Sequence, residues 1–343
     1  MKKDKIIGID TSAYTTSVAL TDISGEIIRD IRKSLSVPPG MRGLRQSEAR
    51  SMHEKNLEEI FLHLEQDHDL MHVAAVSVSV KPRPVSGSYM PVFLAGKEKA
   101  LMLVEELSIP CFEFSHQEGH IAAVKEKSIF KGEDTFLYWH ISGGTCELIK
   151  VQKWEQQILG GSSKQQIIGG SKDISFGQLI DRVGVFLGMA FPAGKTMDET
   201  AERAFEKSNE ISNEKSNEKP ETLVNYLTPI KADGLMFNLS GIETNVLRSI
   251  KKNNGKEELI ILELFFKIAQ RIEKTTCDAC RKTDIKNVIF VGGVASSRFL
   301  RRYLRRSRDI RNENIETLFG DLSEDNAVGI AYLGGRKLWR QNP

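Results

Sequence analysis

The chain has 343 residues, 40% of them hydrophobic and 27% charged, with a net charge of +2. This is ordinary globular composition, long enough for two lobes with substantial cores. The near-neutral charge excludes neither a nucleic-acid nor a small-molecule partner. No apolar run approaches the ~20 residues of a membrane helix, and the apolar stretch after MKKDK is too short for a secretory signal core. The implied address is the cytoplasm, with no membrane partner.

Ile6 to Ile9 reads as an apolar strand that ends in Asp10, Thr11 and Ser12. There a carboxylate meets a turn, where a phosphate or metal can be approached. Thr16 to Thr21 is a second strand, and Asp22-Ile23-Ser24-Gly25 turns into a third, so the opening reads as a β-meander. Residues 47 to 66 carry a helical stripe of Leu57, Ile60, Phe61 and Leu64. Val73 to Val80 alternates as a strand, a Pro- and Ser-rich stretch follows, and a helix runs from Lys97 to Leu107. Cys111 to Phe114 is a short strand that delivers His116 and His120.

Those histidines are spaced i, i+4. On a helix they lie on one face, one turn apart, and can share one ion. Gln117 stands where a zinc peptidase of the HExxH type carries its general-base Glu, which argues against peptidase chemistry.

Residues 136 to 151 read as strand, Gly-rich turn, strand. Ser142-Gly143-Gly144 can present backbone N–H groups to a phosphate or acyl-adenylate, or can form only a tight turn. Leu179 to Met189 is an amphipathic helix closed by Gly188 and Pro192. From Phe205 the chain repeats Lys-Ser-Asn-Glu, which predicts a polar surface insert near 205–222 or a solvated helical tip. Cys277 and Cys280 form a CxxC inside a helical pattern. No second pair exists among the four cysteines, so two small helix-face residues are expected rather than a zinc ribbon. Asn287 to Val291 is a buried strand. Gly292-Gly293 and a helix from Ser296 follow, an arrangement that points N–H groups at a ligand. The helix that includes Arg301, Arg302, Arg305 and Arg306 is strongly basic. It is either a solvated face or an RNA backbone contact. A last helix starts near Asp325-Asn326.

Several blocks in this order resemble the TsaD family of tRNA threonylcarbamoyltransferases. They are GIDTSAYTTSVAL, EARSMH (with His53), SHQEGH, ISGGTCEL, IDRVGVFLGMAFPAG, FNLSGIET, VGGVASSRFL and EDNAVGIAY. The resemblance covers nearly the whole chain and implies an α/β, two-lobed actin/Hsp70-like ATPase (ASKHA) fold with a central cleft. On that pattern residues 1–112 with 325–343 form the N-terminal lobe and 113–324 the C-terminal lobe. The resemblance implies one divalent metal ion, iron or zinc, held by His116, His120 and Asp325, with His140 as a further ligand. It implies an adenylate or ATP bound by His140, Ile141, Ser142, Gly143, Gly144, Asp181, Gly194, Asp198 and Ser297. Asp181 and Asp198 would accept hydrogen bonds from ribose. The implied reaction is metal-assisted transfer of a threonylcarbamoyl group from its adenylate to the adenosine beside the tRNA anticodon, with TsaB- and TsaE-type partners.

The chain departs from the family at several places. Ser297 stands where the family motif ends in Asn, Glu243 replaces a basic residue, and Asp10 replaces the Glu of bacterial members. Lys81-Pro82-Arg83-Pro84 stands for a Gly-Pro-Gly stretch, and Thr145 follows the diglycine. These changes suggest a divergent paralogue. Its alternatives are carbamoyl transfer to a small molecule, or a non-catalytic nucleotide- and metal-binding module.

Overall fold

The computed structural model describes residues 3–341 except 13, 38–43, 68–69, 159–163, 213–224 and 321–325. They form two units. The first begins with β1 (Lys5–Asp10), β2 (Thr15–Asp22), β3 (Ile27–Ser34), α1 (Gln46–Gln66), β4 (Val73–Lys81), α2 (Phe93–Leu107), β5 (Cys111–Ser115) and α3 (His116–Lys125). The second takes β6 (Thr135–Ile141) and β7 (Cys146–Gln152). The short α4 (Trp154–Ile158) dips back into the first. The second then continues with β8 (Lys164–Ser171), α5 (Phe176–Phe186), α6 (Gly194–Ser212), β9 (Ala232–Asp233), β10 (Met236–Phe237), α7 (Ser240–Lys252) and α8 (Glu257–Thr283). It closes with β11 (Asn287–Val291), a 3-10 turn, α9 (Arg298–Arg306), α10 (Arg308–Asn312) and β12 (Glu316–Phe319). Finally α11 (Val328–Gln341) returns to the first unit.

The two sheets share one plan. In the first, strand order is β3-β2-β1-β4-β5, an antiparallel meander with two parallel strands added on β1. In the second, the order β8-β7-β6-β11-β12 repeats that plan, and the two-residue strands β10 and β9 extend the β8 edge. Parallel strands need helical crossovers, and α2, α8 and their neighbours supply them.

In the first unit α1 and α2 cover one sheet face, burying Leu57, Ile60, Phe61, Leu64, Ala100 and Leu103 against Ile7, Ile9, Val18 and Val76. On α11, Ala331 lies so close to β1 that a Cβ on Gly8 would meet its backbone nitrogen at 2.8 Å. The same closeness joins α3 to α11: a Cβ on Gly119 would sit 2.7 Å from Ile330 Cδ1, and one on Gly329 would strike the Gly119 carbonyl. Small residues at these points let backbones touch. This packing puts α3 in the first unit, which runs to Gly132 and resumes at Gly320, whereas the sequence suggested boundaries at 112 and 325. The second unit has its own core, with Trp139, Phe176, Phe265, Phe266, Phe290 and Phe299 fully buried.

Candidate functional site

The histidine pair is positioned by a capping box. Ser115 Oγ accepts from the Glu118 N–H at 3.2 Å, and the Glu118 carboxylate accepts from the Ser115 N–H at 2.7 Å. Reciprocal capping of this kind starts a helix sharply. It also commits Glu118 to structure, in keeping with the argument against a peptidase. His116 and His120 then stand one turn apart with ring centroids 4.3 Å apart. His120 is buried, and the His116 side chain is 11% exposed.

Behind His116 lies Asp10, fully buried at the end of β1, with its Oδ1 3.1 Å from Nδ1. Burial pushes the Asp10 carboxyl up, but the His116 charge and hydrogen bonds from His116, Ser12 and Ser79 outweigh it and hold the group below the ordinary carboxylate value. An ionised Asp10 can only accept, so Nδ1 carries the proton. In the neutral ring Nε2 then offers its lone pair. A carboxylate behind a ligating imidazole is a common outer shell of metal sites. Two imidazoles on one helix face, one of them oriented this way, could supply two ligands to a divalent cation; among the described residues no group of three or more His, Cys, Asp or Glu is placed to hold one. Asp325 lies outside the described residues. His53 belongs to the framework: it is buried, and its Nδ1 lies 2.8 Å from Thr16 Oγ1, joining α1 to β2.

In the second unit Ser142 to Thr145 closes β6 onto β7. The Ser142 N–H donates to the Thr145 carbonyl at 2.9 Å, and the Thr145 N–H donates to Ser142 Oγ at 3.1 Å. Two neighbouring elements approach this turn through glycines. A Cβ on Gly177, in the first turn of α5, would meet the Ser142 carbonyl at 2.5 Å. One on Gly292, which has φ +96°, would strike the Ile141 carbonyl. Ser175, the N-cap of α5, donates its hydroxyl to the Gly143 carbonyl at 2.7 Å. Gly143, Gly144, Gly293 and Gly194 have no atom within 4 Å of where a Cβ would stand. The turn is thus braced from below and open above, a cradle suited to a phosphate or acyl-phosphate. His140 is buried at the end of β6 and stacks on Tyr138 at 6.0 Å.

Asp181 accepts from the Ala193 N–H at 2.8 Å. Burial raises its pKa, and backbone N–H groups of Ala193 and Gly194 offset only part of that. Asp198 has no slack either: it accepts from Ser297 Oγ at 2.5 Å, the Arg298 N–H at 2.8 Å and the Phe299 N–H at 3.2 Å. Ser297 also caps α9, accepting from the Leu300 N–H at 3.2 Å. Together Asp198 and Ser297 satisfy the first N–H groups of α9.

Sequence reasoning passed over Asp173. Its carboxylate accepts from the N–H groups of Ile174 at 2.8 Å, Leu239 at 2.8 Å and Ser240 at 2.9 Å. Burial works against the charge, but these bonds hold its pKa well below the ordinary 3.8. It therefore supplies the cap that α7 lacks from its own N-cap residue, Leu239. Asp173 and Ser175 together tie the start of α7 to the diglycine turn. Glu243, the departure in the SGIET motif, pairs with Arg182 of α5 at 3.0 Å.

The basic helix separates into two sets. Arg302 is half-buried, paired with Glu202, with its guanidinium 4.2 Å over the Phe205 ring. Arg301 is half-buried and donates to the Ala295 carbonyl at 2.8 Å. Arg298, Arg305 and Arg306 are exposed. Cys277 and Cys280 lie buried on α8, their thiols pushed up to about 12 and about 11 by burial, as inert helix-face residues should be. The expected polar insert begins as helix, since α6 runs on to Ser212 with Met197, Ala201 and Ala204 buried. Residues 213–222 lie outside the described residues.

A family model described as TsaD, tRNA N6-adenosine threonylcarbamoyltransferase, matches residues 27–332. A tRNA N6-adenosine threonylcarbamoyltransferase of Neorickettsia sennetsu is 27% identical over 98% of this chain and 95% of its own. One from a Sulfurihydrogenibium species is 27% identical over 97% and 90%. Among solved structures, full-length HypF in a phosphate- and nucleotide-bound form superposes with a TM-score of 0.55 at 12% identity, over 98% of this chain and 56% of that one. Component A of the Acidaminococcus fermentans (R)-2-hydroxyglutaryl-CoA dehydratase gives 0.51 at 16% identity, over 97% and 98%. These likenesses, with two sheets on one plan, bear out the α/β actin/Hsp70-like ATPase fold.

Proposed function

Since the chain belongs to the TsaD family of tRNA N6-adenosine threonylcarbamoyltransferases, we propose that it moves a threonylcarbamoyl group from threonylcarbamoyl-adenylate to the adenosine beside the tRNA anticodon. The observation that carries this reading is the braced diglycine turn at Ser142–Gly144, with a family match across residues 27–332. In the reaction the N6 amine of adenosine attacks the carbamoyl carbon, the bond from that carbon to the phosphate oxygen breaks, and AMP leaves as N6 loses a proton. The turn's N–H groups hold the phosphate, and fixed donors of this kind cost no reorganisation as charge builds on the leaving group. Asp181 and Gly194, with His140 and Ile141, complete the proposed adenylate pocket. Asp198 and Ser297 belong to it through the helix start they fix.

His116 and His120 would hold the metal, with Asp325 as the third ligand and iron or zinc as the ion. When bound, it supplies a Lewis acid for the acyl group. Asp10 keeps the His116 ring in one orientation and one tautomer. TsaB- and TsaE-type partners and a cytoplasmic setting belong to the same proposal. Among the described residues no helix is long and apolar enough to cross a membrane.

A second reading keeps the adenylate and changes the acceptor to a small molecule. It is favoured by Glu243, which replaces a basic residue of the family motif and is neutralised by Arg182. One assay separates the two. The protein is incubated with threonylcarbamoyl-adenylate and unmodified tRNA, with and without the partner proteins, and nucleosides are read by mass spectrometry. Modified adenosine that disappears in His116→Ala is the expected result. AMP release without modified nucleoside, while an orthodox family member succeeds in parallel, would sink tRNA as the acceptor.

A further inference from the structure

The arginines of α9 recur at 298, 301, 302, 305 and 306, the i, i+3, i+4, i+7, i+8 spacing of a single helix face. Phe299, Leu300 and Leu304 take the opposite face and are buried. A stripe usually reserved for the core is here made of guanidinium groups. All five line one open groove, and among the described residues no carboxylate lines it with them. The groove has a floor and a rim. Arg302 is spent on Glu202 and on the Phe205 ring, and Arg301 reaches back to the Ala295 carbonyl. Arg298 and Arg305 are exposed and make no ion pair among the described residues. Arg305 lies over the Phe319 ring, its guanidinium 5.5 Å from the centroid, a cation–π contact that steadies the side chain without pairing it to a carboxylate. Arg306 is exposed beside it.

The geometry points to this rim as a docking strip for the phosphodiester backbone of the RNA substrate, with Arg298 and Arg305 as the contacting residues and Arg301 and Arg302 as the floor that sets their spacing. The strip is about 12 Å long at 1.5 Å per residue, the reach of a few consecutive phosphates. Guanidinium groups suit it because their fork pairs with phosphate oxygens and their charge does not titrate. Such contacts position an RNA without reading its sequence. The inference rests on the proposed tRNA acceptor, and its test must be able to fail separately.

The test is tRNA binding by the full-length protein, followed by fluorescence anisotropy over a range of salt concentrations. The logarithm of affinity should fall linearly with the logarithm of salt, and each arginine lost from the strip should flatten that slope by about 1. Arg298→Gln with Arg305→Gln should therefore flatten it by about 2. Arg302→Gln should leave the slope nearly unchanged but lower the melting temperature, because its charge is already paired. A slope unaltered in the double variant would overturn the inference, as would wild-type protein that binds no tRNA. A slope that changes for heparin but not for tRNA would assign the strip to another polyanion and overturn it too. Binding with the expected slopes but no modified nucleoside would uphold the strip and count against the reaction alone.

Discussion

Asp173 shows how much a single exposed carboxylate can organise when its partners are backbone N–H groups. Two of its three backbone donors belong to Leu239 and Ser240, far along the chain. Nothing local announces such a residue, so it was illegible in the sequence. Glu118, by contrast, was readable as the N3 member of a Ser-x-x-Glu box. The depressed pKa of Asp173 has a definite sign. A carboxylate bound better when ionised stabilises the fold above its unfolded pKa, near 4, and that contribution is lost as pH falls through its lower folded value. Asp173→Asn should therefore melt at a lower temperature than wild type at pH 7. The gap should narrow steadily below pH ~4 as wild type loses the same interaction. A gap independent of pH would mean that the charge is not what holds α7.

At the scale of elements, periodicity made β1, β4, α1, α8 and β11 legible, because each buries one continuous stripe or run. It failed for β8, whose sequence KQQIIGGS has little alternation, and for the two-residue strands β9 and β10. It also missed the start of α6: only a polar insert or helical tip from Phe205 was expected, whereas the helix begins at Gly194 and buries Met197, Ala201 and Ala204. The candidate site was legible where it is contiguous, as in His116–His120 and Ser142–Gly144. The brace beneath the turn was not, because Gly177 and Gly292 come from other elements. That brace can be tested. Gly177→Ala would drive a methyl to 2.5 Å from the Ser142 carbonyl, and overpacking of this kind costs about 1–3 kcal/mol. Calorimetric titration with AMP should show weakened binding by Gly177→Ala, while Gly132→Ala, which has open space around it, binds as wild type does. Equal affinities would mean the turn tolerates displacement and does not set the pocket.

At the scale of the whole molecule, the shared sheet plan was partly visible. The family resemblance implied two lobes, but where each ends depended on which helix packs where. The decisive contact is between α3 and α11, made through Gly119 and Gly329. A chain cut after Asn326, which keeps Asp325, would lack α11, leaving β1 and β4 uncovered on that face and α3 without its support. Such a truncation is expected to lose zinc binding measured by competition with a chromophoric chelator, and to expose apolar surface to a fluorescent dye. Full zinc affinity in the truncated chain would show that α3 holds its histidines unaided. The same contact has a consequence in time. On the ribosome the strands of the first unit emerge early, whereas α11, the helix that closes them, is made only after the whole of the second unit. At 5–20 residues per second that wait is on the order of ten seconds or more. Throughout it, the helix bearing both imidazoles rests on β4 and β5 without the α11 backbone it packs against in the finished fold. Until α11 emerges, newly made chains depend on whatever shields that bare face of the sheet.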